Sequence, residues 1–304
     1  MDPITLHILG CGSALPTLRH NPSSQVIAFR NKAYMIDCGE GTQKQIRLAG
    51  IRLMNIGQIF ISHLHGDHCF GLPGLISTFA LLGRRQPLTI FSPPGLEELL
   101  QPWLAYFCRG MEFEVTFRLF PTNCSSLIYE DKAMRVTAFP LKHSLPCCGF
   151  LFEEQPSLPH IRRDMIDFYH IPVCQIRNIK EGADWTCPDG KLIPNDWLVT
   201  PADQPRTYAY CSDTAFYESA IPHYRHADLL YHEATFMECD KARARQTRHS
   251  TAAMAARAAQ LAEVKRLIIG HFSSRYDDEA PLLQEAQAIF PHTELACEGK
   301  SFRF

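Results

Sequence analysis

The chain has 304 residues, 46% hydrophobic and 20% charged, an ordinary globular composition with room for a sizeable core. No run approaches the roughly 18–20 uninterrupted apolar residues of a membrane span. Residues 1–10 lack a basic lead and carry His7 in a short apolar run, so they read as a first strand and not an export signal. A net charge of −2 gives no global sign of a nucleic-acid binder, so any RNA substrate must find positive charge locally, in metals and patches.

Twelve cysteines are scattered without CxxC pairs, and Cys147–Cys148 is vicinal and poorly placed for an ordinary bridge. Reduced thiols used as small core residues are expected, in a soluble cytoplasmic protein with no membrane attachment. In chain order, residues 4–9, 25–29 and 33–37 read as strands, 43–49 as a short helix closed by Gly50, and 58–62 as a strand leading to His63. Residues 72–82 and 96–107 have helix length, whereas 88–91, 115–119, 134–141 and 149–152 continue the strands. From 154 to 206 the pattern turns Pro-rich and charged, with broken periodicity. An inserted arm or subdomain is expected there, because a structureless loop of that length is improbable. Strands resume at 207–211 and 228–231, then an Ala-rich helix at 251–262, a strand at 266–270 and a helix near 279–289. A layered α/β body follows from this alternation.

The informative segment is Ser62-His63-Leu64-His65-Gly66-Asp67-His68, where four metal-ligand side chains crowd into six residues after an apolar strand. A polar loop with solvated histidines is the plain alternative, but His-x-His-x-Asp-His on a strand-to-helix loop aims side chains at two adjacent points. Gly66 permits the tight turn this needs. Imidazole with carboxylate suits Zn²⁺, although Mn²⁺ and Fe²⁺ take the same ligand types. Further donors must come from other strand ends, and His143, Asp213 and His271 each follow an apolar strand. A single His or Asp in such a position is usually structural; together the three complete the inventory.

This order of motifs resembles the metallo-β-lactamase superfamily. Finer motifs resemble its ribonuclease Z family, short form: Gly10-Cys11-Gly12-Ser13-Ala14 with Pro16-Thr17, Asp37-Cys38-Gly39-Glu40-Gly41-Thr42-Gln43, His232-Glu233-Ala234-Thr235-Phe236, His249-Ser250-Thr251 and His271-Phe272-Ser273-Ser274-Arg275-Tyr276. The resemblance runs nearly end to end and implies an αββα sandwich, one domain with an inserted exosite arm at about 154–206. It implies two zinc ions per subunit, one on His63, His65 and His143, the other on Asp67, His68 and His271, with Asp213 bridging. The implied reaction removes the 3′ trailer from precursor tRNA by direct water attack, leaving a 3′-hydroxyl and a 5′-phosphate.

In that scheme Asp67 accepts a proton, and His249, read here as opening the Ala-rich helix, stabilises the scissile phosphate or protonates the leaving oxygen, oriented by Glu233. Ser250, Thr251, Ser273 and Arg275 become expected substrate contacts. Lys241, Arg243, Arg245 and Arg248 are a solvated helix face or a phosphate grip. The family pattern further implies a homodimer whose arm presents tRNA across subunits. Here Ile171-Pro172-Val173-Cys174 replaces the usual Gly-Pro pair, Arg162, Arg163, Arg177 and Lys180 are balanced by Asp164, Asp167, Glu181 and Asp184, and Asp189-Gly190 with Lys191 resembles the return strand. Rival readings are a hydrolase of small phosphodiesters or thioesters and a metal- or RNA-binding protein without catalysis.

Overall fold

The computed structural model describes residues 2–304. Its strands begin with β1 (Thr5–Gly10), β2 (Ser24–Phe29), β3 (Lys32–Ile36), β4 (Ile56–Phe60), β5 (Leu88–Ser92), β6 (Val115–Leu119), β7 (Ser126–Glu130), β8 (Met134–Pro140) and β9 (Cys148–Glu154). Four short strands follow: β10 (His160–Ile161), β11 (Trp185–Thr186), β12 (Leu192–Ile193) and β13 (Val199–Thr200). The series closes with β14 (Thr207–Cys211), β15 (Leu229–Glu233), β16 (Leu267–Gly270), β17 (Thr293–Leu295) and β18 (Ser301–Arg303). One seven-stranded sheet has the order β18-β1-β2-β3-β4-β5-β6, the other β17-β16-β15-β14-β9-β8-β7.

Side chains on a strand alternate faces, and this sorts the first sheet into two cores. Ile27, Tyr34, Ile36, Phe60 and Phe91 pack with residues of the second sheet, whereas Val26, Met35, Ile59, Ile61 and Ile90 pack outward. The outward set meets α1 (Thr42–Leu48), α3 (Leu72–Leu81) and α4 (Leu96–Phe107). The second sheet is covered by α9 (Ala252–Ala262) and α10 (Ala280–Gln287). Six alanines of α9 are buried, so the helix lies close to the strands; Thr251 caps it by accepting the Met254 N–H at 3.2 Å. Sheets buried on both faces read as continuous apolar runs, which is why periodicity located them so well. The layers are the αββα sandwich.

Pairing is parallel from β3 to β6 and from β14 to β17. Parallel strands end on one edge, where open α/β sheets place ligands. Strand β4 ends at Phe60, two residues earlier than expected. The extension is held by Ile61 N–H to the Phe91 carbonyl (2.8 Å) and Ser62 N–H to Asp37 Oδ1 (2.8 Å). Strand β15 runs two residues further than expected, to Glu233, because it pairs with β16. Strands β7, β17 and β18 were missed; three residues such as Ser301–Arg303 show no period, and only pairing with β1 makes them a strand.

Glu154–Arg206 forms a compact unit of its own, the rest of the chain another. Within it, β10 pairs with β13 and β11 with β12 around the Asp189-Gly190 turn. Helices α5 (Arg163–Phe168), α6 (Ile176–Lys180) and α7 (Asn195–Leu198) complete it. Its small core holds Ile171, Ile179, Ile193 and Leu198. Its ends meet: Glu154 N–H donates to the Arg206 carbonyl (2.9 Å), and the Arg206 guanidinium grips both Glu154 carboxylate oxygens.

Candidate metal centre

Seven side chains converge on the edge where the parallel strands end. His63 and His65 sit on the loop after β4, and Asp67 and His68 on the one-turn helix α2 (Gly66–Cys69). His143 follows β8, Asp213 follows β14, and His271 follows β16. His63 Nε2, His65 Nδ1, His143 Nε2 and Asp213 Oδ2 form one cluster, with separations of 3.0, 3.2, 3.6 and 3.7 Å. Asp67 Oδ2, His68 Nε2, His271 Nε2 and Asp213 Oδ1 form the other, at 3.2–3.6 Å. Asp213 thus faces both clusters, one oxygen to each.

A tetrahedral ion bonded at about 2.0–2.1 Å has donor–donor edges of about 3.3–3.4 Å, and both clusters bracket that value. His68 Nε2, His271 Nε2 and Asp213 Oδ1 are buried with no hydrogen-bond partner among the described residues. Orphaned polar atoms facing one point are costly unless a cation completes them. Ionisation also fits. Burial would raise the Asp213 carboxyl, but the neighbouring His271 and His68 hold it well below its ordinary range. Burial keeps His63, His65 and His143 from protonating easily. His68 goes the other way: burial lowers it, and Asp213, Asp67 and Asp37 outweigh burial and raise it well above 6.5, marking a strongly negative pocket.

Behind the donors stands a layer of groups that fixes ring orientation. Asp37, fully buried, accepts from His68 Nδ1 (2.7 Å), Ser62 Oγ (2.9 Å) and the Tyr210 hydroxyl (2.7 Å) on one oxygen. The Arg248 carbonyl accepts from His143 Nδ1 at 3.1 Å, while the Arg248 guanidinium donates to the His143 carbonyl at 2.8 Å. The Ala14 N–H holds Asp67 Oδ2 at 2.8 Å. Asp37, Arg248 and His271 adopt φ of 53°, 57° and 62°, a left-handed region rare outside glycine and common at functional sites.

Glu233 closes the second sheet's side, wholly buried. Its Oε1 accepts from Thr214 N–H, Ser250 N–H and His249 Nδ1 (3.0, 2.9 and 2.9 Å), its Oε2 from Thr235 N–H and Thr235 Oγ (3.0 and 2.8 Å). Thr235 Oγ in turn meets His271 Nδ1 at 2.8 Å. One carboxylate therefore orients both His249 and His271. Burial lowers the His249 pKa, but the Glu233 carboxylate outweighs it and raises the value to about 9.

His249 does not open the Ala-rich helix as expected. It lies in the bend between α8 (Lys241–Thr247) and α9, its N–H bonded to the Ala244 carbonyl, and its ring reaches a cavity of about 840 Å³ above the donors. Ser273 and Arg275 also line that cavity, as do Arg243 and Arg248. Ser250 and Thr251, expected to touch substrate, are corrected: both are fully buried. The Ser250 hydroxyl donates to the Thr214 carbonyl, and Thr251 caps α9 while bonding Glu238. Asp37 and Thr235 were missed as functional groups. Their motifs were visible, but nothing in a one-dimensional pattern says which histidine each will meet.

Residues 4–158 match the family model described as Anti-Pycsar protein Apyc1, a match that stops short of Asp213, Glu233, His249 and His271. Relatives spanning the whole chain cover those positions too. Ribonuclease Z of Bacteroides fragilis is 55% identical over 299 residues, 98% of each chain. That of Porphyromonas gingivalis is 52% identical over 298 residues, again 98% of each. The crystal structure of human tRNase Z, short form, matches with a TM-score of 0.71 at 26% identity, covering 98% of each chain. Bearing the Apyc1 pattern over residues 4–158 and a ribonuclease Z likeness over nearly its full length, the chain belongs to the ribonuclease Z family of metallo-β-lactamase-fold hydrolases.

Proposed function

We propose that this hydrolase is the endonuclease that removes the 3′ trailer from precursor tRNA, with two zinc ions on the converged donors. His63, His65 and His143 hold one, Asp67, His68 and His271 the other, and Asp213 joins them. A pair of such ions supplies Lewis acidity, which acidifies an attacking water and takes up charge on the phosphate. Asp67, steadied by the Ala14 N–H, is placed to accept the proton the water loses. Glu233 raises the pKa of His249, which favours its protonated form, and with Nδ1 tied to Glu233 the ring leaves Nε2 for substrate. Water attacks phosphorus, the bond to the 3′ oxygen breaks, and that oxygen takes its proton from His249. The products are a tRNA 3′-hydroxyl and a trailer 5′-phosphate. Ser273, Arg243 and Arg275 on the cavity wall suit the flanking phosphates.

The observation that carries this reading is the convergence of seven donors beneath a cavity that His249 and arginines line, in a ribonuclease Z relative. The Glu154–Arg206 unit then serves as the tRNA-gripping arm, working across a homodimer. The twelve free thiols and the absence of any membrane-length helix among the described residues suit work in the cytoplasm. Incubation with a precursor tRNA and, separately, a chromogenic phosphodiester tests the function. Release of a 5′-phosphorylated trailer, stopped by chelation and restored by Zn²⁺, is expected. Turnover of the small ester without cleavage of any precursor would make it a small-molecule phosphodiesterase instead.

A further inference from the structure

A second group of donors lies apart from the seven. Cys11 Sγ is 3.4 Å from His20 Nδ1 and 3.4 Å from Glu298 Oε2, and His20 Nδ1 is 2.9 Å from that same oxygen. The three come from separate places: the end of β1, the loop before β2, and the connection between β17 and β18. Cys11 is fully buried, and the His20 and Glu298 side chains are each 12% exposed. We propose that Cys11, His20 and Glu298 form a further divalent-metal site of the zinc class.

Three features favour an ion there over a mere ion pair. At zinc bond lengths of about 2.0–2.3 Å, the three separations correspond to angles of roughly 90–105° at the metal, somewhat narrower than tetrahedral but within reach of one ion. The far nitrogen of the ring, His20 Nε2, meets Glu279 Oε1 at 3.1 Å. A carboxylate behind a histidine fixes its tautomer and aims the other nitrogen at a metal; Asp37 stands behind His68 in the same way. Charge also balances. On binding, the Cys11 thiol gives its proton to solvent and His20 presents an unprotonated Nδ1. Thiolate and the Glu298 carboxylate then cancel the 2+ charge, while Arg19 neutralises Glu279 at 2.6 Å. An ion pair accounts for His20 and Glu298 alone; the Cys11 sulfur, which also reaches the Ala296 carbonyl at 3.6 Å, adds a third donor of the kind zinc takes.

Such an ion would tie the loop after β1 to the C-terminal segment. That loop carries Ala14, whose N–H holds Asp67, and Ser13, whose N–H bonds the Phe272 carbonyl beside His271. The site is therefore a staple for the backbone that shapes one wall of the main centre.

Cobalt substitution separates the two centres, because the seven donors are nitrogen and oxygen only. Full-length protein stripped by chelation and reloaded with Co²⁺ should show sulfur-to-cobalt charge-transfer absorption. Cys11→Ser should abolish that absorption and bind one ion fewer per chain. Glu279→Gln, which leaves all three donors in place, should weaken the cobalt that gives this band by about 10–100-fold. Absence of the band at saturating Co²⁺, or its survival in Cys11→Ser, overturns the proposal; should Cys11→Ser fail to fold, unchanged affinity in Glu279→Gln does so.

Discussion

Glu233 accepts five hydrogen bonds in a fully buried position, and two of them lead directly or through Thr235 to the rings of His249 and His271. Burial would raise its own pKa, but the adjacent His249 charge holds it below 4.5. His249 is placed outside the seven donors, so His249→Ala should keep its metal and lose about 10²–10⁴ in precursor-tRNA turnover, the span typical of general acid–base groups. A near wild-type rate with metal retained would reduce the histidine to a linker between helices. A pH profile isolates the partner. A general acid works below its pKa, and Glu233 is what raises that of His249 to about 9. In Glu233→Gln the pKa drops, so the alkaline fall in kcat/KM on precursor tRNA should begin at lower pH. Bound cations lower that limb in both proteins alike, so the displacement between them is the readout. Asp37 tests the donor support. Asp37→Ala leaves His68 Nδ1, the Ser62 hydroxyl and the Tyr210 hydroxyl without their acceptor, and zinc affinity should fall about 10–100-fold in a chelator competition.

The inserted unit is the element whose role can be cut away cleanly. Its ends are joined by a backbone hydrogen bond and a two-pronged Arg206–Glu154 pair, so the chain enters and leaves at one point. Bridging 154 to 206 with a short flexible linker costs little closure entropy. Deletion should greatly reduce precursor-tRNA cleavage and leave turnover of a chromogenic phosphodiester little changed; equal loss on both would assign the unit to folding. Its surface is not a simple cationic comb. Arg162 pairs with Asp164 and Arg177 with Glu181, whereas Phe168 and Val173 stand 73% and 82% exposed. The same unit explains the limits of reading by periodicity. Its helices run four to six residues, too short for a 3.6-residue pattern to repeat, while α4 and α9 run twelve and eleven and were read almost to the residue.

At the scale of the whole molecule, both sheets lend donors to one edge, and five of the seven donor residues are buried. Metal binding is then linked to folding: an ion that binds only the native state stabilises it, by about 4 kcal/mol when free metal is 1,000-fold above Kd. Chelation should lower the melting temperature, and Zn²⁺ should restore it; an unchanged melting curve after complete metal removal would mean the donors are no ligand set. What the sequence by itself determined is the chemistry on offer. Ligand type is a property of the residue, and His63, His65, Asp67, His68, His143, Asp213 and His271 all come after short apolar runs that read as strands. Strand ends are legible because burial imposes a local pattern. Partnership is not local. That Asp37 stands behind His68, that Thr235 links Glu233 to His271, that Ser250 and Thr251 turn inward, and that Cys11 meets Glu298 across 287 residues were decided by the register of paired strands. Distances between distant segments come from tertiary packing, and no spacing along the chain encodes them.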